Sequence, residues 1–419
     1  MNILLHTPEG VRDIYNSDCA AKLYTQDKIR ALIKSYGYKD VEGPSFEFFD
    51  IFNKERGSIA SKEMYKFFDK EGNTLVLRPD MTPQIARIAA KYYENEEAPI
   101  KLCYQGKKFI NGSSFQGRLK ETTQLGAELI GDSSIDSDAE VIVMLVESLL
   151  ASGLKEFQVE IGQINYFRGL VKKAGLDETV ENEILEMIQN KNYFGLEELI
   201  SRYNIDKTVG EVFLRLPQMF GSIDILNEAK DLTDSKMARD AIDSLLKLHS
   251  ILKLYGVDKY VTYDLGMVNK LRYYTGVMFQ AFTYGTGEYI ASGGRYDKLI
   301  GQFGKSKPSI GFSITIDYLM IALDRQKIKV ETDNKQSYML LFVESSRSLA
   351  IELARHFRTE NINVNMMVLD RTKSMDFYLD YAKKHGIDHI INVLNDDTFE
   401  SIQVHTGNVK KEKISEILV

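Results

Sequence analysis

The sequence is poor in several features that mark common protein classes. It has two cysteines, Cys19 and Cys103, which exclude a disulfide framework or a cysteine-based zinc site and are typical of a reducing cytoplasm. No stretch approaches the roughly 18 consecutive apolar residues that a membrane helix needs. The start of the chain, MNILLHTPEGVRD, has neither a basic segment nor a cleavable apolar segment. We therefore expect a cytoplasmic protein with no membrane partner.

An excess of positive charge is also lacking. The chain carries 53 Lys and Arg against 60 Asp and Glu, a formal net charge of −7, and nothing resembles the basic stripe of a nucleic-acid-binding protein. The densest basic group either lines a functional site or belongs to a solvated loop, and it consists of Lys107, Lys108, Arg118 and Lys120. We do not expect nucleic acid as a partner.

The six histidines form no zinc-protease pattern. His385 and His389 are four residues apart near the end of a predicted helix, which favours a solvent-facing or helix-capping role over metal binding. Together with the shortage of cysteine, this pattern leads us to expect no metal and no other cofactor.

Apolar residues, by contrast, are plentiful enough for real cores. With 44% hydrophobic and 27% charged residues over 419 positions, the composition predicts a globular protein of two or three domains. We expect a strand-rich domain over 1–325, interrupted by a helical insertion over about 165–257 where Leu and Ile recur at three- and four-residue spacing. A polar linker over 326–336 then leads to a small α/β domain over 337–419 with a mainly parallel sheet.

The first helix is predicted over 18–36, and Gly37 ends it. The segment that follows, YKDVEGPSFEFFDIF, is short, aromatic and interrupted by Pro44, which suits an edge strand or an interface segment. The apolar residues of the helix recur at helical spacing and predict a buried stripe of Ala21, Leu23, Tyr24, Ile29, Leu32 and Ile33.

The segment KETTQLGAELIG, residues 120–131, carries the first candidate site residues. As a strand, it places Gln124, Gly126 and Glu128 on one face and apolar residues on the other, core-facing side. The glycine leaves room between an amide and a carboxylate, and a cationic amine or an imidazole N–H would satisfy both groups. The alternative is a solvent-exposed strand face.

Two further segments contribute candidates. Adjacent tyrosines in LRYYTGVMFQAF (271–282), followed by IASGGRYDKLIGQFG (290–304), point to opposite faces of a strand, so that one packs and the other can contact a ligand. The alternative is a hairpin with aromatic cross-strand pairs. LRPDMTPQIAR (77–87) places Asp80 and Thr82 just before a helix, where capping is the alternative role.

Jointly and in this order, these segments resemble the catalytic domain of class II aminoacyl-tRNA synthetases, and of histidyl-tRNA synthetase in particular. TPEGVRD (7–13) is similar to that family's amino-terminal signature, and Pro44 stands where its dimer-forming first motif has proline. LRPDMT is similar to LRPEGT, TQLGAELIG to HQLGVEVFG, and LRYYTG with ASGGRYD to its histidine-binding signatures. The resemblance spans about 1–325 and implies an α+β fold, in which an antiparallel sheet has flanking helices and a helical insertion.

The same resemblance implies a histidine site. The positions that would hold the α-amino group are Asp80, Thr82 and Gln124. The positions that would contact the imidazole are Glu128 and one or both of Tyr273 and Tyr274. An arginine that the synthetases place on the ligand carboxylate has no counterpart, and the candidate substitutes are Arg272 and Arg118.

Three arginines on the ATP side of the synthetase pattern are missing. The second motif's Phe-Arg-x-Glu reads FING here, so Ile110 stands at the arginine, and the arginine of RGLDYY falls on Asn269. The third motif's Glu-Arg-Leu reads DYL, with Tyr318 at the arginine. Because adenylyl transfer depends on placed positive charge, these losses should abolish activation of the amino acid. We therefore expect no catalytic residues.

A histidine site without activating arginines resembles the family of ATP phosphoribosyltransferase regulatory subunits. That resemblance implies a non-catalytic subunit of the first enzyme of histidine biosynthesis, partnered with a short-form catalytic subunit in a hetero-oligomer and self-associating as a dimer. Free histidine would be the effector, which confers feedback inhibition by binding one assembly state more tightly than another. The alternatives are an active histidyl-tRNA synthetase and a synthetase-like RNA-binding or sensing protein.

Overall fold

The structure is a computed structural model that describes residues 3–52, 59–112, 118–268, 274–332, 336–394 and 397–417. The chain divides into two compact units, Met1–Val330 and Glu331–Val419. No helix in the described ranges is both long enough and apolar enough to cross a membrane.

The first unit is built on a large sheet. Its described strands are β1 (Lys39–Asp40), β2 (Phe46–Phe48), β3 (Lys66–Phe68), β4 (Thr74–Leu77), β5 (Ile100–Phe109), β6 (Glu121–Ile130), β7 (Phe157–Gln163), β8 (Phe220–Gly221), β9 (Val261–Asp264), β10 (Val277–Thr283), β11 (Ala291–Arg295) and β12 (Ser309–Thr315). Nine of them pair in the order β1-β5-β6-β12-β11-β10-β7-β9-β8, and β2-β4-β3 form a separate antiparallel sheet. The large sheet is antiparallel except where β1 meets β5 and β7 meets β9.

Helices flank this sheet and fill the chain between β7 and β9. Their bounds are α1 (Asn16–Ser35), α2 (Thr82–Tyr92), α3 (Ile135–Ala151), α4 (Ile164–Lys173), α5 (Glu178–Gln189), α6 (Tyr193–Arg202), α7 (Lys207–Arg215), α8 (Asp224–Asp231), α9 (Lys236–Leu254) and α10 (Ile316–Arg325). Fully buried side chains such as Ile142 of α3, Leu170 of α4 and Ile242 of α9 belong to one continuous apolar core together with the sheet. That core holds the strands that carry the site in a fixed register.

Helix α1 buries Ile29 and Ile33 of the predicted stripe but exposes Leu23. Leu23 is 53% exposed, whereas Lys22 is 7% exposed and Gln26 is 3% exposed. The Lys22 ammonium donates to Asp317 at 2.8 Å, and the Gln26 side-chain oxygen accepts from Gln105 at 2.7 Å. The helix therefore turns polar side chains toward partners on α10 and β5, and the prediction that Leu23 is buried is wrong.

The second unit is a five-stranded sheet with two helices. Its elements are β13 (Ser337–Phe342), α11 (Arg347–Thr359), β14 (Asn363–Val368), α12 (Met375–Lys384), β15 (His389–Val393), β16 (Thr398–Gln403) and β17 (Val409–Lys413). The order is β14-β13-β15-β16-β17, in which β14, β13 and β15 run parallel while β16 and β17 are antiparallel. The sheet is thus mixed rather than mainly parallel, because β16 is antiparallel to β15, and β17, which the sequence does not predict, is antiparallel to β16.

Candidate functional site

A cavity of about 120 Å³ opens on one face of the large sheet. Because strand side chains alternate, Gln124 and Glu128 of β6 point to this same face, and both line the cavity. The neighbouring strands present glycines there, since Gly311 pairs with Glu128 and Gly294 pairs with Gly311. This face of β6 therefore borders a concave site and is not a solvent-exposed strand face.

Glu128 lies at the centre of the polar network of the cavity. Its Oε1 accepts hydrogen bonds from the hydroxyls of Thr82 at 3.0 Å and Tyr104 at 3.2 Å, and its Oε2 accepts from Tyr296 at 2.6 Å. The residue is 1% exposed. A Cβ atom at Gly311 would overlap Glu128 Oε2, so a glycine at this position makes room for the carboxylate.

Burial decides the protonation of Glu128. Removal from water raises its pKa from 4.5 to about 8, and donation by the Tyr296 and Thr82 hydroxyls offsets only part of this effect. At neutral pH the free site therefore holds a mostly protonated carboxyl group. A cation placed beside it favours the ionised form, so the site is suited to a positively charged or N–H-donating ligand.

Gln124 offers a second acceptor. Its Nε2 donates to Ser313 Oγ at 2.5 Å, while its Oε1 is buried and has no hydrogen-bond partner among the described residues. A buried acceptor without a partner costs about 1–3 kcal/mol, so a ligand donor at this position is favourable. The room left by Gly126 is not open to a ligand, because the Tyr104 hydroxyl fills the place of the missing Cβ.

Asp80 and Thr82 come from the start of α2, where Pro83 occupies the first turn. The backbone N–H of Thr82 donates to Asp80 Oδ1 at 3.4 Å. The ring of Tyr274 packs against Gly294, where a Cβ atom would lie 2.8 Å from the ring. The predicted site residues that the structure brings to this cavity are Asp80, Thr82, Gln124, Glu128 and Tyr274.

Other predicted positions are not brought together there. The Arg118 side chain is 58% exposed and pairs with Glu288 at 2.6 Å, away from the cavity lining. Of the positions where synthetase arginines are missing, Ile110 lines the cavity and Tyr318 does not. The predicted positions that lie outside the described residues are Tyr273, Arg272 and Asn269.

Among the residues that were not given a role by the sequence, Tyr296 and Ser313 line the cavity and Tyr104 contacts Glu128. Lys108 also lines the cavity, which is the functional-site alternative for its basic group. The alternation of β5 puts Tyr104 and Lys108 on one face, opposite Gly126 and Thr122 of β6. That alternation is visible in the sequence, but the register that aligns β5 with β6 is not.

The chemistry of the cavity follows from its polar groups. Asp80, Glu128 and the oxygen of Gln124 are acceptors, and Lys108 is the single cationic side chain among the described lining residues. No group of three or more His, Cys, Asp or Glu within the described part of the chain is placed to hold a metal ion. The arrangement can bind a small molecule with N–H donors, and the described lining contains no arginine to hold a phosphate.

Comparisons with known proteins agree with this geometry. The family model for histidyl-tRNA synthetase matches residues 10–319. An ATP phosphoribosyltransferase regulatory subunit from Acetivibrio thermocellus is 38% identical over 414 residues, covering 99% of this chain and 98% of that protein. A protein of the same name from Ruminiclostridium cellulolyticum is 39% identical over 393 residues, covering 94% of this chain and 93% of that protein.

Solved structures show the same relationship. A crystal structure of an ATP phosphoribosyltransferase regulatory subunit/histidyl-tRNA synthetase from Bacillus halodurans superposes with a TM-score of 0.82 at 30% identity, covering 93% of this chain and 98% of that chain. A histidyl-tRNA synthetase from Nostoc sp. PCC 7120, at 20% identity and a TM-score of 0.79, shares the fold. The predicted family and α+β fold class are confirmed: the chain belongs to the family of ATP phosphoribosyltransferase regulatory subunits, whose fold is that of histidyl-tRNA synthetase.

Proposed function

We propose that this chain binds free histidine and confers feedback inhibition on ATP phosphoribosyltransferase without activating the amino acid. The observation that carries the proposal is the buried carboxyl group of Glu128 beside the unpartnered oxygen of Gln124. Both groups lie in a cavity of about 120 Å³. This arrangement supports a small ligand that brings its own N–H donors and positive charge.

Histidine satisfies these groups with its two ends. An imidazole N–H suits a buried carboxylate, and a carboxylate oxygen that already accepts one hydrogen bond can accept another. The α-ammonium group needs acceptors, which Gln124 Oε1 and the Asp80 carboxylate supply at the same cavity. Tyr274 lines the cavity beside them, and Tyr273 stays a candidate through the resemblance alone.

The positions where a synthetase contacts ATP support binding of histidine without its activation. An arginine on a transferring phosphoryl or adenylyl group contributes several kcal/mol of barrier lowering. At the second-motif position the cavity presents Ile110, which offers no charge, and the third-motif position holds Tyr318. Asn269 completes the set of missing arginines by resemblance. A chain with these three replacements can hold histidine but lacks the charge to adenylate it.

We infer that the partner is the short-form catalytic subunit of ATP phosphoribosyltransferase, the enzyme after which the regulatory-subunit relatives are named. Inhibition by histidine then requires that it bind one state of the complex more tightly than another. The coupling is reciprocal, so ligands of the catalytic subunit must change the affinity for histidine by the same factor.

We also infer a homodimer that uses the three-stranded sheet as its contact. Phe46, Phe48 and Phe67 share one face of this sheet and are 51%, 54% and 37% exposed. A cluster of exposed aromatics marks an interaction surface, and it follows Pro44, the position that resembles the dimer-forming motif. Sedimentation of the native chain should show a dimer, and Phe48→Asp should shift it toward the monomer.

The function is tested by reconstitution with a short-form catalytic subunit. Histidine should inhibit phosphoribosyl transfer by the complex, and a chain carrying Glu128→Gln should still support transfer while needing much more histidine for inhibition. Inhibition that is unaltered by this substitution would contradict the pocket. Failure to form the complex would contradict the partner, and histidine-dependent ATP–pyrophosphate exchange would favour a synthetase.

A further inference from the structure

Lys108 lines the cavity but has no role in the histidine site proposed above. It lies near the end of β5, where it pairs with Thr122 of β6 and faces the same side as Gln124 and Glu128. It lines the cavity together with Asp80 and Ile110. The side chain is therefore placed among the groups that would surround the ligand.

The neighbouring Lys107 provides a direct contrast. Lys107 points to the opposite face of β5, its side chain is 45% exposed, and it pairs with Glu121 at 3.1 Å. Lys108 is partly buried and has no ion pair within the part of the chain that the structure describes. Burial lowers the pKa of Lys108, and the charge of Asp80 counteracts that effect. A partly buried ammonium group without an ion pair is stabilised in its charged form when an anion enters the cavity.

A bound amino acid supplies such an anion. Its carboxylate would lose its hydration in the cavity, and a buried carboxylate without a cationic partner is strongly unfavourable. Arg118, a candidate for this contact, already pairs with Glu288 and does not line the cavity. Lys108 and Asp80 line the cavity together and are close enough to interact electrostatically. A cationic and an anionic side chain at the same cavity suit a zwitterion, whose ammonium and carboxylate are attached to the same carbon atom.

We propose that Lys108 binds the α-carboxylate of the amino acid and thereby selects an intact amino acid over an amine of the same shape. This inference rests on the proposed histidine site and adds to it the group that recognises the carboxylate. Lysine is a point charge rather than a planar fork, so it can pair with the carboxylate of free histidine without the bidentate geometry of an arginine. An imidazole-bearing amine that lacks the carboxylate would leave Lys108 unpaired.

The test compares histidine with histamine, which has the same ring and amine but no carboxylate, by calorimetric titration of the full chain. The native chain should bind histidine about 10- to 100-fold more tightly than histamine, the range of a charge-assisted hydrogen bond. Lys108→Met should weaken histidine by a similar factor and leave histamine unchanged. Lys107→Met, on the other face of the same strand, is the matched control and should change neither affinity.

Other outcomes of these titrations would contradict recognition of the carboxylate, the role of Lys108 or the histidine site itself. Equal affinity of the native chain for the two ligands would exclude recognition of the carboxylate, and this comparison needs no variant to fold. If Lys108→Met retains native histidine affinity, or loses both ligands equally, Lys108 does not bind the carboxylate although the histidine site stands. If the native chain binds neither ligand, the proposed histidine site fails and the role of Lys108 fails with it.

Discussion

Strand β6 and the end of its neighbour β5 border the same cavity but differ in what they offer a ligand. β6 presents Gln124 and Glu128, which resemble the amino-acid side of a synthetase site, and both are buried and hydrogen-bonded. Just beyond β5, Ile110 stands where a synthetase has the arginine for ATP. We infer from this difference that the residues proposed for amino-acid recognition are separate from those for phosphate chemistry, so that the first set can be kept when the second is lost.

The largest effect is expected on the β6 side. Glu128→Gln keeps the shape of the side chain, but the amide cannot ionise when the ligand binds. It also places an N–H donor where the ligand donates. Histidine affinity should fall by about 100-fold, because a charge-assisted hydrogen bond is replaced by an unfavourable donor–donor contact. Calorimetric titration measures this change.

The control for that variant lies on the same strand. Glu121→Gln removes a carboxylate that pairs with Lys107 at 3.1 Å and does not line the cavity, so histidine affinity should not change. Equal losses of histidine affinity in the two variants would indicate a general effect of charge on β6. They would then give no support to a specific contact between Glu128 and histidine.

A smaller effect is expected from the hydroxyl that holds Glu128 in place. Tyr296→Phe deletes the donor at 2.6 Å from Glu128 Oε2, which raises the pKa of Glu128 further and leaves less carboxylate for the ligand. Histidine affinity at neutral pH should fall by about 10-fold. Tyr166→Phe, which deletes a hydroxyl bonded to Ala229 far along the chain, should leave the affinity unchanged. A loss of histidine affinity in Tyr166→Phe but not in Tyr296→Phe would contradict the role of the hydrogen bonds to Glu128.

The raised pKa of Glu128 also predicts how stability varies with pH. Between the unfolded value of 4.5 and the folded value of about 8, the native state holds a proton that the unfolded state has released. Stability of the ligand-free chain therefore falls as pH rises through this window, by at most about 1.4 kcal/mol per pH unit from this group. Thermal unfolding from pH 5 to 8 should show a steeper decline for the native chain than for Glu128→Gln. Parallel curves would show that Glu128 is not buried as described.

The smallest effect is expected at Ile110, just beyond β5. Ile110→Arg restores one synthetase arginine, yet Asn269 and Tyr318 still occupy the other two arginine positions. No histidine-dependent ATP–pyrophosphate exchange should appear, since each missing positive charge raises the barrier by several kcal/mol. ATP–pyrophosphate exchange by Ile110→Arg would contradict the contrast between histidine binding and phosphate chemistry. It would show that the other residues needed to activate histidine are intact.

Much of this site follows from local patterns in the sequence. The two-residue period of 121–130 correctly places Gln124 and Glu128 on one face, because alternation depends only on neighbouring residues. Asp80 and Thr82 lie at a helix start, as the proline after Thr82 indicates. These features are local, so they can be predicted without the fold.

The missed features depend on residues distant in the chain. Tyr296 reaches Glu128 across 168 positions, and Lys22 is buried against Asp317 across 295 positions. Hydrophobic periodicity favours Leu23 for the buried stripe of α1, but an ion pair with α10 turns Lys22 inward instead. The room beside Gly126 is likewise filled by Tyr104 of the adjacent strand. Strand register and long-range pairing decide these contacts, and neither is visible in a single sequence.

The most direct test of binding without activation is equilibrium dialysis of the native chain against labelled histidine with ATP and Mg²⁺ present, followed by identification of the bound label. We predict that label is retained in stoichiometric amount with the chain and is recovered entirely as free histidine. Recovery of the label as histidyl-adenylate, or no retained label at all, would contradict the account.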